Sequence, residues 1–405
     1  MHRPSPTYRA AFLLGRAARW LSRRLLHRGG NVIGGAVLLR VAPGGVRALA
    51  RSRRITIVSG TNGKSTTTAM ITAALRTTGP VSTNTDGANT PHGLAWAIAT
   101  STTGEVVLEV DESWLPWAVR ELRPHTAVLL NLTRDQLHRK PEIGPLAESW
   151  RRAVRAVPRV VAVADDPAVV WAAQEVRSPE FVLTGAGWVQ DSVLCPVCLD
   201  LLRDRDGRWW CPCGFHRPDS SVEVHDRTVF VGGEALGAYD ALPGVANLAN
   251  AAVAVAAVRD RVGPRAALAA VSSGVHDVAG RYRELTVDGR RVRLLLAKNP
   301  AGWQAMLGML REGAATLLAF SADGVDGRDT SWLYDVAFER LRDRRVAVTG
   351  PRAIDLAVRL EMGDVAAPQP VRSVQEALRT LPPGEVDVVA TYSAFQAARR
   401  ELGVA

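Results

Sequence analysis

The residues best suited to chemistry in this 405-residue chain are Ser59-Gly60-Thr61-Asn62-Gly63-Lys64-Ser65-Thr66. The two glycines let the backbone turn tightly and leave its N–H groups open to an anion. Lys64 would reach the β- and γ-phosphates of a nucleotide, and Ser65 or Thr66 would hold Mg²⁺. The elements that must position this loop are visible on either side. Ile55-Thr56-Ile57-Val58 is an apolar, β-branched run and reads as a strand, and Thr67 to Leu75 reads as a helix. A strand, a glycine turn and a helix N-terminus make a phosphate cradle.

A second cluster lies further on. All four cysteines fall within a short stretch, as Cys195-Pro196-Val197-Cys198 and Cys211-Pro212-Cys213-Gly214, with Trp209-Trp210 closing the segment between them. Two cysteine pairs on turns are how a zinc ribbon builds a tetrahedral thiolate site, and a small insert with little core gains stability from the metal. The first pair has the usual C-x-x-C spacing. The second is C-x-C, one residue short, so His216 is a candidate substitute ligand. Four protein ligands leave no open position for water, which makes the expected zinc structural.

The chain is long enough for two or three domains. Lys and Arg total 50 against 40 Asp and Glu, a net charge of +10, and only Lys64, Lys140 and Lys298 are lysines. No acidic residue precedes Asp86. Between residues 9 and 28, Arg9, Arg16, Arg19, Arg23, Arg24 and Arg28 alternate with Leu13, Leu14, Ala17, Trp20, Leu21 and Leu25 at helical spacing. This basic amphipathic helix would either lie on an anionic membrane or substrate, or pack on the next domain with its arginines solvated. A transit peptide is also rich in arginine, but here the basic run continues straight into the loop-bearing strand. No stretch is long and apolar enough to span a bilayer, and no signal peptide is visible, so the expected location is the cytoplasm.

Strands are expected at Ile55–Ser59, Val106–Val110, Thr126–Leu130 and Arg159–Val163, alternating with helices as in a parallel α/β sheet. Residues 190–235 interrupt that rhythm as a small polar module. Helices resume over Asn247–Val262 and Arg265–Ser273. A change of character near Val275–Arg283 suggests a hinge, and a second α/β unit follows with strands at Val292–Ala297, Ala315–Phe320, Arg345–Thr349 and Val386–Ala390. The expected organisation is a basic helical segment (1–50), an ATP-binding domain (51–280, with a zinc-ribbon insert near 190–220) and a C-terminal Rossmann-like α/β domain (281–405).

The short loop form T-N-G-K-[ST]-T resembles that of the Mur ligase superfamily. Other segments share the likeness: Val107-Leu108-Glu109-Val110-Asp111-Glu112; Asn131-Leu132-Thr133-Arg134-Asp135-Gln136-Leu137; Ala164-Asp165-Asp166-Pro167; Gly244 to Asn250; and Gly280-Arg281-Tyr282-Arg283-Glu284. Lys298-Asn299-Pro300-Ala301-Gly302 stands where many of these ligases carry an Asp/His-Asn-Pro motif. Asp326-Gly327-Arg328-Asp329-Thr330-Ser331-Trp332-Leu333-Tyr334-Asp335, with the Cys-rich insert, resembles the signature of the MurT family, the large subunits of lipid II isoglutaminyl synthase. The sequence departs from that pattern at Ala246, His138 and Ser321-Ala322.

The resemblance implies ATP-dependent amidation of the D-glutamate α-carboxylate of the lipid II stem peptide, with ammonia from a GatD-type glutamine amidotransferase partner in a heterodimer. It assigns Gly60 to Thr66, Asn247, Asn250, Arg281, Lys298 and Asn299 to the nucleotide. Ser65 and Glu109 would hold Mg²⁺, and Cys195, Cys198, Cys211 and Cys213 zinc. An acid of this chain would complete the partner's Cys-His triad, with Asp335 first, Asp329 second and Asp326 also in range. Lys298 and Asn299 would face the cleft from the second domain. Competing expectations are a stand-alone ligase that adds an amino acid to a carboxylate, a nucleic-acid-binding ATPase, and a scaffold without turnover. The insert and the Asp-rich segment argue against the first. The second is weakened by the few basic residues of the insert, leaving no nucleic acid expected. The intact Gly60–Thr66 loop argues against the third.

Overall fold

A computed structural model describes residues 6–26, 31–84, 87–134, 142–185, 190–275, 282–323, 328–366 and 369–404. Two compact units emerge: residues 1–133 with 143–276, and residues 134–142 with 277–405.

The first unit opens with three helices, α1 (Pro6–Leu26), α2 (Asn31–Val41) and α3 (Pro43–Ala50). Then β1 (Arg54–Ser59), α4 (Lys64–Arg76), β2 (Val81–Thr83), α5 (Pro91–Thr100), β3 (Glu105–Val110), α6 (Leu115–Leu122) and β4 (Thr126–Leu129) alternate. They continue as α7 (Ile143–Val154), β5 (Arg159–Val163), α8 (Pro167–Ala173) and β6 (Glu180–Leu183). The Cys-rich insert contributes the hairpin β7 (Arg203–Arg205) and β8 (Arg208–Trp210). After it come β9 (Val222–His225), β10 (Thr228–Val231), β11 (Glu234–Ala238), α9 (Val245–Val262) and α10 (Pro264–Gly274).

The main sheet has the order β11-β10-β9-β6-β5-β4-β1-β3-β2. Its strands from β2 to β6 pair in parallel, and β9 joins β6 in parallel before β10 and β11 fold back antiparallel. The expected module of residues 190–235 is therefore smaller than its composition suggests: after the cysteines the chain returns to extend the main sheet. Helices cover both faces, so β1 is buried at every position after Arg54, and its apolar residues run on without alternation. The chain leaves β1 toward β3 and β2, then crosses to β4 on the other side. The carboxyl end of β1 is thus a topological switch point, where open α/β sheets bind ligands.

The second unit runs β12 (Tyr282–Val287), β13 (Arg290–Leu296), α11 (Pro300–Leu307), β14 (Ala315–Ala319), β15 (Val346–Thr349), α12 (Ala353–Met362), α13 (Val374–Thr380), β16 (Glu385–Ala390) and α14 (Tyr392–Glu401). Its sheet order is β12-β13-β16-β14-β15, parallel except for β12. One apolar layer packs Trp303, Phe320, Trp332 and Phe338; the other packs Val374, Leu378, Val388 and Phe395. Within it Asp387, fully buried, accepts from Arg293 Nε and Nη2 at 2.9 and 2.8 Å and from the Arg311 backbone N–H at 2.7 Å. Arg293 and Asp387 are register partners on β13 and β16, so the sheet itself sets the pair.

Candidate active site and thiolate cluster

The phosphate loop sits where β1 gives way to α4. Gly63 has φ +84°, a conformation that disfavours any side chain, and a Cβ there would stand 2.5 Å from Asn250 Oδ1. Gly60 is pressed against the next strand: a Cβ on it would meet Leu130 Cβ at 2.8 Å. The loop is braced by residues after β4. Thr61 N–H donates to Asn131 O at 2.8 Å, and Asn62 N–H donates to Asn131 Oδ1 at 2.9 Å. Asn131 Nδ2 returns a bond to Asn62 O, and Thr133 N–H donates to Thr61 Oγ1, both at 3.0 Å. Sequence reading placed Asn131 and Thr133 in a motif without a role. Their signal was position: polar residues at the end of a strand that flanks the loop.

Lys64 is buried, and its ammonium is held by the Gly60 carbonyl, by Thr61 O at 3.1 Å and by Glu112 Oε2 at 2.9 Å. Glu112 is a further residue for which the sequence offered no role. Trp150 Nε1–H donates to the Glu112 carbonyl at 2.8 Å, tying its backbone to α7. A bound phosphate would compete with this carboxylate for the lysine.

Ser65 Oγ–H donates to Glu109 Oε2 at 2.5 Å, and Asn89 Nδ2 donates to Glu109 Oε1 at 3.0 Å. Asn84 clamps the Glu109 backbone, donating to its carbonyl at 2.9 Å and accepting from its N–H at 2.8 Å. A hydroxyl and a carboxylate are hard oxygen donors of the kind Mg²⁺ takes, and two neighbouring ligands at about 2.1 Å from an octahedral Mg²⁺ stand about 3.0 Å apart. The pair fits that ion after opening by about half an ångström.

Asn247 and Asn250 lie on the first turns of α9. Asn247 Nδ2 donates to Pro243 O at 2.6 Å, and Asn250 abuts Gly63. Of the two, the fold brings Asn250 to the loop. Behind the loop, Asp166 accepts from the N–H groups of Leu132 at 2.7 Å, Ala168 at 2.9 Å and Val169 at 3.2 Å. Burial pushes its carboxyl up to about 6, against the pull of those donors. Burial likewise raises Asp165, which holds Thr184 through its N–H and hydroxyl.

The four cysteine sulfurs lie within 4.8 Å of one another. Cys195 and Cys213 are 3.7 Å apart, and Cys198 and Cys211 3.4 Å. A tetrahedral zinc with bonds of about 2.3 Å sets its sulfurs about 3.8 Å apart, so the four thiols fit the ion. The short C-x-C pair therefore closes the site without His216, whose ring Nδ1 stands 2.8 Å from Gly214 O instead. Burial pushes the Cys195 thiol up, while the Phe215 backbone N–H helps draw Cys213 down to about 7. The cluster anchors a small core in which Trp209 packs on Phe215 at 5.0 Å, with Cys195, Leu202 and Val170 around it. Trp209 Nε1–H donates to the Ala164 carbonyl at 3.2 Å, pinning the insert to the end of β5.

In the second unit Asn299 is buried and caps α11, its Oδ1 accepting from Gly302 N–H at 2.9 Å. Lys298 precedes it at the end of β13. Asp335 is half-buried: its Oδ2 lies 3.1 Å from Arg134 Nη1, and Gln304 Nε2 donates to its backbone carbonyl at 2.8 Å. Asp329 Oδ1 accepts from Ser331 N–H at 2.9 Å and so closes the turn before Trp332. Asp135-Gln136-Leu137, His138, Arg281 and Asp326 lie outside the described residues.

Sheet order, phosphate loop and the match of residues 58–190 to the Mur ligase middle domain define a Mur-type ligase. Solved structures share its fold. A pseudomurein peptide ligase type C from Methanothermus fervidus superposes with a TM-score of 0.69 at 15% identity, covering 90% of this chain and 83% of that one. A Mycobacterium tuberculosis folylpolyglutamate synthase complexed with ADP gives 0.65 at 15% identity, covering 96% and 99%. Within the class the assignment is narrower. Residues 296–395 match the MurT ligase C-terminal family. The lipid II isoglutaminyl synthase (glutamine-hydrolyzing) subunit MurT of Staphylococcus aureus (strain N315) is 29% identical over 394 residues, 88% of each chain. The corresponding Streptococcus pneumoniae subunit is 27% identical over 95% of this chain and 94% of its own. Over most of its length the chain is therefore similar to MurT subunits.

Proposed function

We propose that this chain is the carboxylate-activating subunit of a lipid II isoglutaminyl synthase. It amidates the α-carboxylate of D-glutamate in the lipid II stem peptide, using ATP and ammonia released by a GatD-type glutaminase partner. The observation that carries the reading is a complete phosphate cradle, Gly60 to Thr66 with Lys64, Ser65 and Glu109, in a chain similar to MurT subunits along most of its length.

The reaction needs a better leaving group than the oxide of a carboxylate. A carboxylate oxygen attacks the γ-phosphorus of ATP, the bond to the β-γ bridging oxygen breaks, and ADP leaves an acyl phosphate. Ammonia then attacks the acyl carbon, the C–O bond to phosphate breaks, and the new C–N centre loses a proton to give the amide and inorganic phosphate. Phosphoryl transfer depends chiefly on positioning and charge neutralisation. The loop amides and α4 N-terminus orient the phosphates, and Lys64 exchanges its bond to Glu112 for one to the phosphate. A magnesium ion held by Ser65 and Glu109 would supply further neutralisation of the phosphate oxygens. Asn250 supports the loop at Gly63. Asn247, Arg281, Lys298 and Asn299 are assigned to the nucleotide by the family motifs alone. Cys195, Cys198, Cys211 and Cys213 would hold a structural zinc with all four positions filled by protein, leaving none for the chemistry. Asp335 completes the partner's Cys-His triad, orienting the histidine and stabilising its charged form. The enzyme works at the inner face of the cell membrane, where its lipid-linked substrate resides.

The test is ADP release and amide formation by the purified chain with lipid II and ammonium chloride, without any partner. Lipid II-dependent ADP release with an amidated product supports the reading. Turnover with an amino acid in place of ammonium would make the chain a stand-alone ligase.

A further inference from the structure

Beyond Tyr8 and Phe12, helix α1 turns its large apolar residues the wrong way for a helix that exists only to pack. Its inward face is made of Tyr8, Ala11, Gly15 and Ser22, all buried. Tyr8 and Phe12 stack in line toward Trp96 of α5, at 6.2 and 5.7 Å. Leu13, Leu14, Trp20 and Leu21 point away and are 50–62% exposed. At about 100° per residue these four and Ala17 fill an arc of roughly 120°. Arg9 and Arg16, both exposed, border that arc on one side, and Arg24 lies within it. The Arg24 guanidinium stands 4.8 Å from the Trp20 ring centre, a cation–π contact that holds both at the surface. No acidic residue occurs before Asp86, so α1, α2 and α3 offer nothing to cancel these charges.

We infer that the outward face of α1 is a docking surface for an anionic lipid bilayer. A helix with an apolar stripe, a bordering tryptophan and arginines beside it lies in the membrane interface, with the stripe among the acyl chains and the arginines on the headgroup phosphates. A second copy of this chain is a poor occupant, because it would set one row of arginines against another. The inference deepens the proposed reaction by giving the surface on which the enzyme meets its substrate. It rests on that reading only for the substrate's lipid anchor, since the physical basis is α1 itself.

The test is co-sedimentation of the full chain, alone and with its glutaminase partner, with vesicles free of lipid II. One set contains equal parts phosphatidylglycerol and phosphatidylcholine, the other phosphatidylcholine alone. Binding to the anionic set that weakens with salt is expected, with little binding to the neutral set. The triple variant Arg9→Gln/Arg16→Gln/Arg24→Gln should lose about a hundredfold in affinity, from three arginines near an anionic surface. Leu13→Ser/Leu14→Ser/Trp20→Ser should also lose binding through the apolar stripe. All six positions are exposed, so both variants should keep their circular dichroism and their activity on detergent-dispersed lipid II. Failure of that detergent activity in the unmodified enzyme would count against the reaction and leave the lipid surface standing. Equal binding of either variant and the parent to anionic vesicles would overturn the inference, as would no binding by the parent. Dimerisation without lipid, abolished by the serine variant, would assign the face to a second copy.

Discussion

Replacing Asp335 by Asn should separate the two half-reactions. The proposed function gives Asp335 to the partner's triad and carboxylate activation to the phosphate loop. In triads of this kind, exchange of the acid for its amide leaves the shape intact and lowers turnover about 10⁴-fold, because the histidine loses its orienter and the partner to its positive charge. That factor corresponds to about 5.5 kcal/mol of barrier. The structural cost is far smaller. The Arg134–Asp335 pair has side chains 33% and 34% exposed, at 3.1 Å, and partly exposed pairs of this kind contribute under about 1 kcal/mol. The held feature, the Gln304 bond to the Asp335 carbonyl, is to backbone and survives the change. The assay compares amide formation by the complex with glutamine and with ammonium chloride as nitrogen source. The expected result is loss of the glutamine-driven rate with an unchanged ammonium-driven rate and melting temperature. Parallel loss of both rates would refute the assignment, and so would retention of both. Asp329→Asn is the companion measurement: the amide Oδ1 still accepts from Ser331 N–H, so it should cost little stability and show no selective loss of glutamine use.

Three further outcomes follow from the geometry. Lys64→Met should lower lipid II-dependent ADP release about a hundred- to thousandfold, as expected for one lost charge-stabilising group; a variant that keeps its rate would remove the lysine from the phosphate site. Cys211→Ser should abolish the bound zinc measured by mass spectrometry and red-shift the emission of Trp209, which is 1% exposed beside Phe215; full zinc occupancy would count against the four-thiolate site. Asp166 is raised from 3.8 to about 6, so the folded state holds its proton more tightly than the unfolded chain does. Its contribution is therefore fully present below about pH 4 and is lost as pH rises through 6, a decline of about 3 kcal/mol. Denaturant melts of the parent across that window should show the decline, and Asp166→Asn should flatten it; an unchanged slope in the variant would refute the shift.

Much of the site was legible because its determinants are local. The Gly60–Thr66 loop is defined by turn chemistry and by a strand and helix within a few residues on each side. The strands expected in both α/β units occur within a residue or two of their sequence limits, since strands buried on both faces read as continuous apolar runs. The cysteine pairs were likewise legible as a cluster, and the fold added that the short C-x-C spacing brings all four sulfurs within 4.8 Å of one another, with His216 turned to the Gly214 carbonyl. The MurT likeness came from motifs in order along the chain, which need no coordinates.

What the tertiary structure decided were relations between distant residues. Lys64 meets Glu112 across 48 positions, Ser65 meets Glu109 across 44, and Asn62 meets Asn131 across 69. No local pattern encodes such pairs: they exist because β1 lies between β3 and β4, and strand order is settled by the packing of the whole sheet. The same holds for β9 to β11, whose short runs resembled part of the insert until pairing with β6 gave them a place. The sequence also determined that α1 is amphipathic and basic, but not which face would be covered. Its small residues allow close approach to α2, where a Cβ on Gly15 would stand 3.0 Å from Gly34 O. Packing therefore favoured the face with Ala11, Gly15 and Ser22, and Leu13, Leu14, Trp20 and Leu21 were left to the outside.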